Sequence, residues 1–280
     1  MGDPLEREEI LYTVRGPKTL PEMTWEEVAE ALQRTNLVII PCGAIEQHGP
    51  HLPLGTDALN GTYLSRLVVQ ALAEQGIPSV AGPTIALGVS QHHIDFPGTC
   101  SLRASTFIAV VKDVCESLAY NGFRRFALIM THGGNWPAMQ VAAQELKDAR
   151  PELKILALNT LPAQGKVAAK ILKATRRQGH AGEAETARVM AAYPGLVQMA
   201  RARVYYSQPS EEFETSEHPL LGGGVYEGTA SFKTMTPWGS MGEPALATAE
   251  TGHRLFEARV EFVCDVIKRK LVREPATVGA

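Results

Sequence analysis

Cysteine is scarce in this chain, with four in 280 residues, and they are placed where they pair with nothing. Cys42, Cys100, Cys115 and Cys264 are far apart and form no Cys-x-x-Cys pair, so neither a disulfide framework nor a thiolate zinc site is indicated. An excess of either charge is also missing. Lys and Arg number 27 against 30 Asp and Glu, a net charge of -3, and no Lys/Arg-rich block offers a footprint for nucleic acid or an anionic membrane. No apolar run reaches the roughly 20 residues that span a bilayer. The start, Met1-Gly-Asp-Pro-Leu-Glu-Arg-Glu-Glu9, has neither the basic region nor the apolar core of a signal peptide. Internal repeats and linkers are absent too. Together these absences predict a soluble, cytoplasmic protein whose partner is a small-molecule substrate, with no nucleic acid and no membrane partner.

What is present is a large apolar fraction, 45% of residues, enough for one full core. The pattern predicts an arm over residues 1–20, one domain over 21–272 and a tail over 273–280. Within the domain, apolar runs such as Leu37-Val-Ile-Ile-Pro-Cys42 alternate with helical spacing such as Leu59, Tyr63, Leu64, Leu67, Val68 and Leu72. That alternation reads as an α/β fold, a single-domain three-layer sandwich with a mainly parallel central sheet. Thr24-Trp-Glu-Glu27 forms a capping box that opens a short helix to about Arg34. Further strands are expected near Ser79–Ala86, Arg125–Met130 and Leu153–Asn159, and helices over Thr106–Tyr120, from Trp136, from near Glu183 to about Tyr193, and from Gly252 to Leu271.

The chemistry concentrates after the first strand. Glu46-Gln-His-Gly-Pro-His-Leu-Pro-Leu-Gly-Thr-Asp57 puts two carboxylates and two imidazoles into twelve residues. In an open parallel sheet, such a segment lies at the carboxyl edge where ligands bind. Carboxylates and imidazoles crowded there are organised most simply by a divalent cation. Thr131-His-Gly-Gly-Asn135 delivers His132 to the same edge. Its glycines also allow a phosphate cradle, although no phosphate-loop pattern accompanies them. His180 and Glu183, three residues apart at a loop-helix junction, can point into one pocket, whereas Glu185 points elsewhere and reads as outer-shell or structural. Of the adjacent His92 and His93, one can line a pocket while the other caps or packs.

With these loops assembled, the sequence resembles the creatininase (creatinine amidohydrolase) family of metal-dependent hydrolases. The resemblance rests on Gly43-Ala-Ile-Glu-Gln-His-Gly-Pro-His-Leu-Pro-Leu-Gly-Thr-Asp57, Asp95-Phe-Pro-Gly-Thr99, His132-Gly-Gly-Asn135, His180-Ala-Gly-Glu-Ala-Glu-Thr186 and Gly242-Glu-Pro-Ala-Leu-Ala-Thr-Ala249. It implies two divalent metal ions per chain (Zn, Mn or Fe) and a homohexamer. By motif position, Glu46 and His132 would bind one ion, His48 the other, and Asp57 would bridge them; His180 matches a catalytic histidine, here a proton shuttle. Creatininase has a further carboxylate ligand two residues after the histidine matching His132, where this chain has Gly134. Glu183 is expected to supply the missing carboxylate, with Glu185, the residue matched in the shared motif, as the alternative. The two tryptophans that enclose creatinine are replaced by Leu161 and Arg176, which argues against creatinine as substrate. Ser90, Gln91 and His93 are expected to line the substrate pocket, with Arg176 meeting a carboxylate, phosphate or polar oxygen.

The resulting expectation is hydrolysis of a C–N amide or cyclic amide bond in a small polar molecule, by water activated between the two cations. A ring-opening C–C hydrolase acting on an inositol-derived cyclic ketone (3-dehydro-scyllo-inosose type) is the alternative within the enzyme class. Outside it stands a non-catalytic phosphate-ligand binding module, and a thiol hydrolase using Cys42 is a third reading, for which the sequence shows no acid-base partner.

Overall fold

The computed structural model describes residues 16–174, 179–206 and 231–272. Four strands form one wholly parallel sheet in the order β2-β1-β3-β4, with β1 Leu37–Cys42, β2 Val80–Ala81, β3 Arg125–Met130 and β4 Lys154–Asn159. The centre of the sheet is β1 beside β3, in register from Leu37 opposite Arg125 to Cys42 opposite Met130. Because successive side chains leave a strand on opposite faces, each central strand feeds two cores. Val38, Ile40 and Cys42, with Phe126, Leu128 and Met130, bury against Phe107, Val111 and Cys115 of α3 (Ala104–Asn121) and Met139 and Leu146 of α4 (Trp136–Ala149). Leu37, Ile39, Ala127 and Ile129 bury on the other face against Leu64, Val68 and Leu72 of α2 (Thr56–Glu74) and Phe256, Val263 and Ile267 of α8 (Ala249–Ile267). The result is a helix-sheet-helix sandwich.

The short first helix, α1 (Trp25–Leu32), has the expected capping box: Thr24 Oγ1 accepts from Glu27 N at 3.2 Å and Thr24 N donates to Glu27 Oε2 at 2.7 Å. Before it, the chain already lies on the domain. Arg66 donates to Pro17 O at 2.5 Å and pairs with Glu22 at 2.6 Å, and Thr19 bridges to Ala81.

Two elements depart from the sequence pattern. The strand expected over 79–86 shrinks to Val80–Ala81, with Ile85 keeping one isolated bridge to Cys42. Pro83 has no N–H to donate to a ladder. Leu161–Ile171 forms a helix, α5, where only a basic connecting segment is legible in the sequence. The Gly222–Gly228 stretch, read from sequence as a surface or subunit-contact loop, lies outside the described residues.

Helix α6 (Glu183–Ala192) packs across α8 at one glycine. A Cβ on Gly252 would stand 2.0 Å from Ala187 O and 2.8 Å from Ala191 Cβ. Gly252→Ala is therefore expected to lose about 1–3 kcal/mol through overpacking, more than the ~1 kcal/mol that alanine gains in helix propensity. Thermal denaturation should show a lower Tm; an unchanged or higher Tm would mean that the two helices separate freely.

Candidate metal centre

The functional side chains meet at the carboxyl edge of the two central strands. Glu46 and His48 lie on the segment after β1, and Asp57 on the first turn of α2 rather than in the loop before it. That turn sits tight against the segment: a Cβ on Gly43 would stand 2.7 Å from the backbone of Ala58. His132 follows β3 after one residue, Thr131. His180 and Glu185 arrive from a turn in which Ala181 adopts a left-handed φ of 53° and from the start of α6.

The side chains converge closely. His132 Nδ1 is 3.1 Å from Asp57 Oδ2 and 3.3 Å from Glu46 Oε1. His48 Nε2 is 3.5 Å from Asp57 Oδ1 and 4.0 Å from Glu185 Oε2. His180 Nδ1 stands 3.9 Å from both Glu46 Oε1 and Glu185 Oε2. Each of these three rings is held from behind by a backbone carbonyl: His48 Nδ1 donates to Glu46 O at 3.1 Å, His132 Nε2 to Val89 O at 3.0 Å and His180 Nε2 to Gln47 O at 2.6 Å. A ring nitrogen committed in this way presents the other toward the carboxylates, which is how ligand imidazoles are oriented in metal sites.

Charge in the centre is balanced internally. Burial works to raise the Glu46 carboxyl, but the imidazoles of His132, His180 and His48 outweigh it and hold it well below the usual range. Burial likewise opposes ionisation of Asp57, yet His48 and His132 bring it down to about 2. Against its own burial, His48 is raised to about 9 by Asp57, Glu185 and Glu46, and His132 is raised well above the usual value chiefly by Glu46 and Asp57. Protons on these two histidines supply the positive charge that the carboxylates require. Even so, Glu46 Oε2, His48 Nε2 and Asp57 Oδ2 are buried with no hydrogen-bond partner. Orphaned ligand-type atoms of this kind, in a cluster of carboxylates and imidazoles, fit divalent cations. Among the described residues, the sets with mutually close donor atoms are Glu46/His92/His132, Glu46/His48/His180 and His48/Asp57/Glu185.

Comparison with known proteins gives the chain a family. The family model described as creatininase, creatinine amidohydrolase, matches residues 21–267. The chain belongs to the creatininase family. It is similar to the mycofactocin precursor peptide peptidase of Mycobacterium ulcerans, at 30% identity over 83% of each chain. It is also similar to the creatinine amidohydrolase of Pseudomonas putida, at 26% identity over 89% of this chain and 95% of the relative. In structure it matches a proposed creatinine amidohydrolase of Bacteroides fragilis with a TM-score of 0.81, at 25% identity over 94% of this chain and all of the other. As a creatininase-family chain it is a metal-dependent hydrolase.

One expected residue is not where the sequence reading puts it. The carboxylate brought to the cluster is Glu185, not Glu183. Glu183 is buried and accepts from Lys173 N at 2.9 and 3.1 Å and from Ala174 N at 2.8 Å, fastening the end of the α5–α6 connection. Glu185 faces His48 and His180, accepts from Ala181 N at 2.6 Å and is steadied by Arg188 at 3.4 Å. The spacing of three between His180 and Glu183 has no helical meaning, because α6 begins only at Glu183 and the left-handed Ala181 intervenes. Gly134 shows why the family's carboxylate two residues after the histidine is absent. A Cβ there would lie 2.3 Å from Val89 O and 2.5 Å from His132 Nε2, so on this backbone the position admits no side chain.

Of the residues expected to line the pocket, Ser90 and His93 stand beside the cluster. Ser90 is fully buried with its hydroxyl 3.4 Å from His132 Nε2, on the edge of that ring turned away from the carboxylates, so it stands behind the ring rather than lining open space. His93 lies inside the cluster, its Nε2 3.5 Å from Glu46 Oε1 and its ring stacked on His180 at 4.4 Å. Burial first, and then His180, push its pKa down to about 2, so the ring is neutral. Leu161 packs half-buried against the core. Arg176 lies outside the described residues. Cys42 faces the core, and burial pushes its thiol up, away from a reactive thiolate.

Three further residues near the centre have places that the sequence does not assign. Phe232, in the one-turn helix α7 (Phe232–Met235), lays its ring against His93 at 4.1 Å, His180 at 5.3 Å and His92 at 5.6 Å. Ser231 fastens this turn to Asp95 at 2.5 Å and Lys233 sits 4.6 Å over the Phe96 ring. Gln47, between two of the clustered residues in sequence, turns its amide the other way. His92 is stacked on His132 at 5.7 Å; the order of the chain alone does not separate its place from that of His93.

Proposed function

We propose that this centre hydrolyses a C–N amide or cyclic amide bond in a small polar substrate. Glu46, Asp57 and His132 would hold one divalent cation, and His48, Asp57 and Glu185 a second. The observation that carries this reading is the set of buried ligand-type atoms left without a hydrogen bond, Glu46 Oε2, His48 Nε2 and Asp57 Oδ2, beside imidazoles whose far nitrogens are already committed to backbone carbonyls. When bound, divalent ions lower the pKa of water and polarise a carbonyl oxygen. The chain supplies the rest. His180, its Nε2 tied to Gln47 O, keeps Nδ1 free to take a proton and pass it to the leaving nitrogen. Burial, followed by the positive charge of His48, lowers the pKa of His180, which favours the neutral, proton-accepting ring. Phe232, lying against His93 and His180, screens that proton from bulk water. The choice of bond is supported by two relatives whose names describe C–N hydrolysis, a creatinine amidohydrolase and a precursor peptide peptidase.

The test is a panel of lactams, formamides, short peptides and cyclic ketones, assayed before and after chelation and again after addition of Zn, Mn or Fe. Turnover of an amide or lactam that disappears on chelation and returns with one of these metals is expected. Turnover restricted to cyclic ketones would move the bond to C–C, and turnover indifferent to chelation would end the metal reading. A homohexamer, the assembly implied by the family resemblance, is expected by light scattering.

A further inference from the structure

Gln47 lies between Glu46 and His48, yet its side chain serves neither directly. Its Oε1 accepts from Gly49 N at 2.9 Å, which identifies the other end of the amide as the NH2 group. That group donates to Gly239 O at 3.0 Å and meets His93 Nδ1 at 2.8 Å. An amide NH2 only donates, so His93 Nδ1 must accept and the neutral ring must carry its proton on Nε2. The Nε2 proton faces Glu46 Oε1, 3.5 Å away, in a ring that is 1% exposed. That proton is aimed at one oxygen of Glu46 while the other, Oε2, has no hydrogen-bond partner.

Gly239 is the anchor of this chain of contacts. It has a left-handed φ of +78°, and a Cβ there would fall 1.8 Å from Gln47 Oε1, so only glycine leaves room for the Gln47 amide against this backbone. The loop that carries it also holds the His180 turn, through Met241 N to His180 O at 2.8 Å and Gly179 N to Met241 O at 3.1 Å.

We propose that Gln47, anchored on Gly239, is a positioning residue that fixes His93 as an Nε2–H donor to Glu46, turning the free oxygen of that carboxylate toward the cation. This rests on the metal-hydrolase reading above. One short loop then orients both the ligand carboxylate, through Gln47 and His93, and the proton-carrying His180, through its backbone.

The direct readout is the tautomer of His93. Full-length chain labelled with 15N in the histidine rings is measured metal-free by solid-state NMR, with His93→Gln assigning the signal. The wild type should show a protonated Nε2 and a bare Nδ1. Gln47→Leu, which removes the donor, should abolish that preference; Gln47→Glu, which presents an acceptor, should place a proton on Nδ1. Zinc competition against a chelator should then show one of two sites weakened by about 10–100-fold in Gln47→Leu, the range for outer-shell partners. A wild-type His93 protonated on Nδ1, or a tautomer and zinc affinity unchanged in both variants, would overturn the proposal. A wild type that binds no zinc would instead defeat the metal-hydrolase reading, and the metal-free spectrum would still decide whether Gln47 sets His93.

Discussion

Glu185→Gln is expected to remove one cation from the centre, while Glu183→Gln leaves both bound. The two carboxylates stand two residues apart on the first turn of α6, but their surroundings differ in kind. Glu185 Oε2 lies among imidazole nitrogens, 4.0 Å from His48 Nε2 and 3.9 Å from His180 Nδ1. An amide there keeps the shape and loses the charge, and affinity for one ion should fall by more than the about 10–100-fold typical of an outer-shell change. Glu183 points its oxygens at the backbone N–H groups of Lys173 and Ala174. Its glutamine variant would turn an NH2 toward one of those donors, a loss of about 1–3 kcal/mol that appears as a lower Tm with metal content intact. Elemental analysis together with thermal denaturation separates the two outcomes. Metal lost from Glu183→Gln and kept in Glu185→Gln would reverse the assignment.

His180→Asn is expected to lower kcat by about 10²–10⁴-fold, the usual contribution of a positioned acid-base group, with both cations retained. The retained metal is the discriminating part. His180 Nδ1 also belongs to a set of close donors with Glu46 and His48, so geometry alone would allow it to be a ligand. As a proton carrier it can be removed without emptying the site, and the loss falls on kcat rather than on KM. Loss of an ion together with activity would make His180 a ligand instead.

Much of this architecture is written in local pattern, and the parts that are not have physical reasons. Strands β1 and β3 are buried on both faces, so they appear as unbroken apolar runs, and both match their expected spans. Helix α2 shows its apolar stripe plainly, and Thr24 and Glu27 form the capping box that their spacing requires. By contrast β2 is too short to have a period, and α5 hides in a basic stretch interrupted by Gly165. At the centre, Glu46, His48, Asp57 and His132 are legible because two parallel strands must end at one edge. Glu185 is not, because its direction depends on a left-handed residue at 181, and counting along a helix fails where the chain is not yet helical. Gln47 stands inside the first motif and Phe232 in none, yet neither shows in sequence what it touches. Their roles depend on Gly239 and on a turn at residues 231–235, both nearly two hundred residues from Gln47 and visible only once folded.

The central claim is that two divalent cations sit side by side in this centre, sharing Asp57. Anomalous diffraction from crystals of the zinc-loaded chain, recorded on both sides of the zinc edge, tests it in one measurement. The account predicts two zinc peaks per chain, one among Glu46, Asp57 and His132 and one among His48, Asp57 and Glu185. A single peak, a peak beside Glu183, or none at this edge of the sheet would contradict it.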